Sequence, residues 1–198
     1  MNKDLLLRHL GIQGYSVKIL RAFDSVRRED FIPDELIPFA YADGPLPLGF
    51  NSTISQPSTI AFMLNLLELE NQSDLKILEI GSGCGYVLAL MNAITQNSSF
   101  FGLEINSEVG DNAIERLKAH QNIKIFLYDG KNGLPEESPF DRILISAASE
   151  SNPYHLLDQI KDSGIIVAPV LNSIVKMKKV GHEATVEEFP GFVFVPLL

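Results

Sequence analysis

From Lys76 to Val170 this chain alternates between short apolar runs and amphipathic stretches, and that rhythm constrains its fold more than any other feature. "KILEIG", "SFFGLEI", "IKIFLYD", "FDRILIS" and "GIIVAPV" are each strand-length and nearly continuous in apolar residues. A strand that is apolar on both faces must be covered on both, the condition met by a parallel sheet wrapped by helices. The spacing predicts helices over Tyr86 to Thr95, Ser107 to His120 and Pro153 to Lys161, between those strands. Near the end, "SIVKMKKVGH" and "FVFVPLL" come without a helix between them, which predicts an antiparallel pair at the sheet edge. The expected fold is α/β: a doubly wound, mostly parallel sheet with an antiparallel C-terminal edge pair.

Residues 1–70 have a different texture. Leu5, Leu6 and Leu10, then Val17, Leu20, Phe23 and Val26, recur at helical spacing. Prolines punctuate "FIPDELIPF", and the small polar run "GFNSTISQP" reads as a loop. Pro57 then suits the first turn of a helix through "STIAFMLNLLELE". No repeat, low-complexity tract or linker divides the chain. Residues 1–198 are therefore expected to form a single domain, with 1–70 a helical extension that includes that loop and 71–198 an α/β core.

Composition narrows the function classes. A formal net charge of −9 argues against nucleic acid as a partner, because phosphate contacts need clustered Lys and Arg. Lys176, Lys178 and Lys179 alternate with apolar residues and read as a solvated strand face. The apolar runs are too short to span a membrane, and the N-terminus lacks the apolar core of a secretion signal. The single cysteine, Cys84, cannot form an internal disulfide, so a cytoplasmic setting is expected. His9, His120, His155 and His182 lie in unrelated contexts, and no metal site is expected.

The strongest chemical signal is "LEIGSGCGY", which follows the first strand of the alternating region and opens a helix. Gly81, Gly83 and Gly85 allow a tight turn and a close approach to a ligand. The dinucleotide fingerprint G-x-G-x-x-G requires glycine where this chain has Tyr86, and Glu79 stands two residues before the first glycine. A carboxylate there would repel a pyrophosphate and attract a sulfonium or an ammonium. S-adenosyl-L-methionine carries both cations and no phosphate. Glu104, ending the second strand, can accept hydrogen bonds from two ribose hydroxyls, and Asp129–Gly130, after the third, can accept from an adenine amino group. Ser82 and Ile105, adjoining the glycine loop and Glu104, complete the expected cofactor shell.

With the loop placed, the order of "VRREDFIP", "ADGPLPLGFNSTISQP", "LEIGSGCGY", "YDGKNGLPEESPFDRILISAA" and "FVFVPL" resembles that of the protein-L-isoaspartate O-methyltransferases, from about Val26 to Leu197. The resemblance implies a Rossmann-like methyltransferase sheet and methyl transfer from S-adenosyl-L-methionine to the free carboxylate of isoaspartyl residues in damaged proteins or peptides. The ester then collapses to a succinimide, which partly hydrolyses to aspartate. It also implies that Ser55 is the active-site residue, with Thr53 and Ile54 as cofactor neighbours. An acceptor carboxylate is already ionised at neutral pH, so Ser55 is expected to position it rather than to attack. A monomer is favoured. The connection after Val170 is very short where the family often has a longer loop, which implies a wider cleft, a different peptide acceptor or lost activity.

Two other readings stay open on the residues alone. A divergent enzyme of the same architecture would methylate an aspartate in a dedicated peptide and keep the same core. A non-catalytic S-adenosyl-L-methionine-binding protein would have less use for the retained Ser55.

Overall fold

A computed structural model describes residues 1–95 and 97–192. The chain begins with α1 (Lys3–Ile12), capped by the Asn2 side chain, and α2 (Val17–Ser25), capped by Ser16. Two 3₁₀ turns, Arg28–Phe31 and Asp34–Phe39, lead to an antiparallel hairpin of β1 (Leu46–Gly49) and β2 (Ser52–Ile54). Thus "GFNSTIS", read as a loop, is half strand. Pro57 opens α3 (Pro57–Leu66), as its fixed φ and missing N–H favour.

The alternating region follows as β3 (Lys76–Ile80), α4 (Tyr86–Ile94), β4 (Ser99–Glu104), α5 (Ser107–Leu117), β5 (Ile123–Leu127), β6 (Phe140–Ile145) and β7 (Ile160–Val170). The sheet closes with β8 (Ser173–Val180) and β9 (Glu183–Pro190), giving the order β5-β4-β3-β6-β7-β8-β9. The pairs from β5 across to β7 are parallel, and β8 and β9 join antiparallel. The strands bury alternate residues on opposite faces. Ile77, Leu144, Ile165 and Val167 meet the N-terminal helices, α3 and α4, whereas Leu78, Ile143, Ile145 and Ile166 meet Leu134, Leu156 and Leu157. Among the described residues, no helix is long and apolar enough to cross a membrane.

Two expectations need correction. Pro153 to Lys161 is not an α-helix: Tyr154–Gln159 is a 3₁₀ turn and Ile160 already belongs to β7. Only Leu156, Leu157 and Gln159 are buried in that turn, too few to define a helix face, and the sheet recruits Ile160 opposite Phe140 through a bulge. The outer strand of the antiparallel edge is Glu183–Pro190, which the sequence reading passed over. Phe192 of "FVFVPLL" lies beyond β9, and 193–198 fall outside the described residues. The connection from β7 to β8 is the two residues Leu171 and Asn172, as short as the sequence suggested.

Candidate active site

The strand order reverses at β3, with β4 on one side and β6 on the other. Ligands of open α/β sheets lie outside the carboxyl ends of the strands at such a point. The loop between β3 and α4 is folded back there. Gly81, Gly83 and Gly85 have φ of 77°, 53° and 83°, in the left-handed region that side chains avoid. The amides of Gly81 and Ser82 both donate to the Leu103 carbonyl, at 2.8 and 2.9 Å, which pins the loop to β4.

Glu104 is held by the same loop. Its Oε2 accepts from the Gly83 amide at 2.8 Å and its Oε1 from the Asn106 amide at 2.9 Å, so both oxygens are fixed and each keeps a lone pair. Asp129 accepts from the Lys131 amide at 3.0 Å and stays exposed. Behind it Gly130 is packed so closely that a Cβ would lie 2.6 Å from Ile80 Cγ2.

Glu79 is 1% exposed. Ser146, just beyond β6, donates to its Oε1 at 2.7 Å, and its Oε2 is buried with no partner among the described residues, as is Ser82 Oγ. Burial raises the Glu79 pKa from 4.5 to about 8, against the Ser146 hydrogen bond, and the nearby Glu104 charge adds to the rise. An orphaned carboxylate oxygen in the interior is costly, and a cationic ligand would relieve it.

The β1–β2 hairpin forms the opposite wall. A cleft of about 320 Å³ runs between the hairpin and the strand ends, with Thr53, Gly81, Gly83, Glu104, Ile105, Asp129 and Gly130 on its sides. It continues into a narrow space of about 40 Å³ lined by Ile54, Ser55, Glu79, Ser82 and Tyr86. Thr53, Gly81, Gly83 and Ser146 border both. The Ser55 hydroxyl has no partner among the described residues and borders the narrow end beside Glu79.

Eleven of the twelve residues singled out in the sequence therefore border one continuous depression. Gly85 does not. It is the residue before α4, and a Cβ there would meet Leu117 Cδ1 at 2.7 Å, so its glycine serves the packing of the loop on α5. The sequence reading missed Ser146, Phe50 and Tyr128 as wall residues. A serine at a strand end carries no pattern of its own, although its place after the fourth strand of the alternating region, beside the Glu79 strand, could have marked it.

This sheet order, with an acid-rimmed cleft at its reversal point, defines a Rossmann-like methyltransferase fold. Comparison with known proteins agrees and goes further. The family model "Protein-L-isoaspartate(D-aspartate) O-methyltransferase (PCMT)" matches residues 1–198, and the chain belongs to that family. It is 40% identical to the protein-L-isoaspartate O-methyltransferase of Methanocella arvoryzae over 88% of this chain and 95% of the other. With that of Fervidobacterium nodosum it shares 37% identity over 98% and 100% of the two chains. Among solved structures, one protein-L-isoaspartate O-methyltransferase superposes with a TM-score of 0.88 at 24% identity, covering 98% of this chain; this chain spans only 65% of that one. A Plasmodium falciparum structure described as a putative protein-L-isoaspartate O-methyltransferase in complex with S-adenosyl-L-homocysteine superposes with a TM-score of 0.83 at 22% identity, covering 100% and 99%.

Proposed function

We infer that this chain transfers a methyl group from S-adenosyl-L-methionine to the free carboxylate of L-isoaspartyl residues in damaged proteins, initiating their repair. Family membership supports the reaction, and one observation carries the reading of the site: the buried Oε2 of Glu79, without a partner among the described residues, in the narrow space that Ser55 also lines. Such an oxygen suits a cationic ligand, and S-adenosyl-L-methionine fits that donor set better than any phosphate-bearing cofactor. Bound there, it supplies a methyl carbon on a sulfonium leaving group.

The protein's own residues have the remaining tasks. Glu79 offers charge to the amino-acid end of the cofactor, and Glu104, held rigid by the Gly83 and Asn106 amides, presents its free lone pairs to the ribose. Asp129 and Gly130 take the adenine end, with Ile105 along its side and Thr53 and Ile54 against the donor. The Ser55 hydroxyl holds one oxygen of the acceptor carboxylate and leaves the other to attack in line. The acceptor is ionised at neutral pH, so no general base is required.

Residues 1–198 are taken as one functional unit acting as a monomer, without nucleic acid, in the cytoplasm. Its acidity and its single buried, free Cys84 support that setting. The test is transfer of labelled methyl from S-adenosyl-L-methionine to an isoaspartyl peptide and to the same peptide with ordinary aspartate. Transfer to the first alone is expected; transfer to neither, with cofactor bound, would overturn the reading.

A further inference from the structure

The largest fully buried side chain among the described residues is a cation, Arg28, with no measurable exposure. It opens the 3₁₀ turn Arg28–Phe31 after α2, far in sequence from the cleft. Its Nη2 donates to the carbonyl of Ser55 at 3.0 Å and reaches that of Gly44 at 3.5 Å. Gly44 and Ser55 are the two feet of the β1–β2 hairpin, one just before β1 and the other directly after β2. On its other side, the guanidinium carbon lies 5.4 Å from the centroid of the Tyr86 ring. Tyr86 is the first residue of α4, immediately after the glycine loop, and the rings of Phe31 and Phe23 hold it edge-on at 5.2 and 6.3 Å.

A methionine or leucine of similar reach would fill this space without the cost of burying a charge. Among the described residues no carboxylate lies within ion-pair distance of Arg28, the Asp43 charge acting on it only at longer range, and its Nε and Nη1 have no hydrogen-bond acceptor. What it makes instead is a bridge between the two loops that meet at the cleft. Asp43 complements it. Its Oδ1 accepts from the Ser58 amide at 2.9 Å and its Oδ2 from Gln56 Nε2 at 3.2 Å, fixing the chain after Ser55 as Arg28 fixes Ser55 itself.

We propose that Arg28 is a positioning residue for methyl transfer: by clamping the Ser55 carbonyl while stacking on Tyr86, it sets the distance between the acceptor-holding hydroxyl and the cofactor loop. The proposal rests on the role given to Ser55 above. It assigns Arg28 no contact with either substrate, and Arg28 does not border the cleft.

The test compares wild type, Arg28→Met and Arg28→Lys in the full chain. Arg28→Met keeps the volume and loses the donor. It is expected to lower kcat for an isoaspartyl peptide at least 30-fold while the Kd for S-adenosyl-L-homocysteine changes less than about threefold. Arg28→Lys keeps the charge and ammonium donors but loses the planar guanidinium over Tyr86, and should recover only part of the loss, to about three- to tenfold below wild type. Hydrogen exchange supplies a readout independent of the acceptor. Amides of residues 52–56 and 58 should exchange at least tenfold faster in Arg28→Met, with those of residues 76–80 unchanged. Wild-type kcat in a folded Arg28→Met, or a loss shared equally by cofactor affinity and all amides, would overturn the proposal. If Arg28→Met does not fold, Arg28→Lys decides: an unchanged kcat and unchanged exchange at 52–56 and 58 would overturn it. If wild type transfers no methyl to the peptide, the proposed function fails, and the exchange measurement still reads the clamp.

Discussion

Ser146 Oγ donates a 2.7 Å hydrogen bond to Glu79 Oε1, and the other oxygen of the same carboxylate, buried in the interior, has no partner among the described residues. Burial places the Glu79 pKa at about 8. A cationic cofactor needs the ionised form, so binding at neutral pH must release a proton. Affinity for S-adenosyl-L-methionine should then weaken by up to about tenfold per pH unit as pH falls below that value. Glu79→Gln should bind more weakly at pH 8.5 and lack this trend; the wild-type-to-variant ratio cancels the titration of the cofactor's own amine. Stability of the ligand-free protein runs the other way. The folded-state pKa is raised above the ordinary 4.5, so the contribution is fully present below that pH and is lost as pH rises through about 8. The Tm advantage of Glu79→Gln over wild type should therefore grow between pH 5 and 8 and level off above. Calorimetric titration and thermal melts over that range check both trends; pH-independent ratios would contradict them.

Ser55→Ala should reduce turnover without disturbing the cofactor. A hydrogen bond to a charged group contributes about 1.5–3 kcal/mol, so losing one from the acceptor carboxylate predicts a fall in kcat of about 10- to 150-fold. The residue borders the narrow end of the cleft, and its hydroxyl is free among the described residues, so Kd for the cofactor should move less than about threefold. Steady-state kinetics with an isoaspartyl peptide, alongside calorimetry, separates the two. A collapse of cofactor binding would put Ser55 in the cofactor shell instead.

Gly83 and Gly85 look alike in sequence and should respond differently to alanine. Both have left-handed φ, at 53° and 83°, which costs an L-residue about 1–2 kcal/mol. A Cβ on Gly83 meets nothing within 4 Å, whereas on Gly85 it meets Leu117 Cδ1 at 2.7 Å and Ala113 Cβ at 3.4 Å. Overpacking adds about 1–3 kcal/mol. Denaturant unfolding should therefore show Gly85→Ala as the more destabilised variant, by about 1–3 kcal/mol. Gly83→Ala, with its Cβ on a wall of the cleft, should be the one that loses cofactor affinity.

How much of this was legible in the sequence depends on how local the cause is. The strands β3, β4 and β6 announce themselves because both faces are buried, and the edge strand β5 because four of its five residues are apolar; the acids at the strand ends are read from position alone. Pro57 marks α3 because its ring fixes φ. The edge strand β9 was silent: "EATVEEFP" is largely solvated and carries three glutamates and a proline in eight residues, so only pairing with β8 makes it a strand. The turn at Tyr154–Gln159 was misread because Ile160 serves the sheet, a tertiary demand that no local propensity records. Arg28 was invisible as a site residue for a related reason. Beside Arg27 and Glu29 it reads as surface charge, and only the fold brings the Ser55 carbonyl to it.

The hairpin tip carries the last prediction. Phe50 and Asn51 connect β1 to β2 with φ of 52° and 59°, the left-handed conformation that two-residue hairpin turns require and that favours Asn and Gly. Asn51 suits it; a bulky aromatic at Phe50 does not, and strain of this kind costs about 1–3 kcal/mol. Phe50 is also 59% exposed, so little burial offsets that cost, yet it forms part of the wall of the cleft facing Glu104 and Asp129. The strained residue is thus kept where a ligand would cover it. Phe50→Asn should raise the stability of the ligand-free protein by about 0.5–1.5 kcal/mol and weaken S-adenosyl-L-homocysteine binding several-fold, because the ligand loses an apolar wall. Denaturant melts and calorimetric titration of the same variant read the two effects. Equal affinity with raised stability would mean that Phe50 serves no ligand, and lowered stability would mean that its ring is anchored by contacts stronger than the strain.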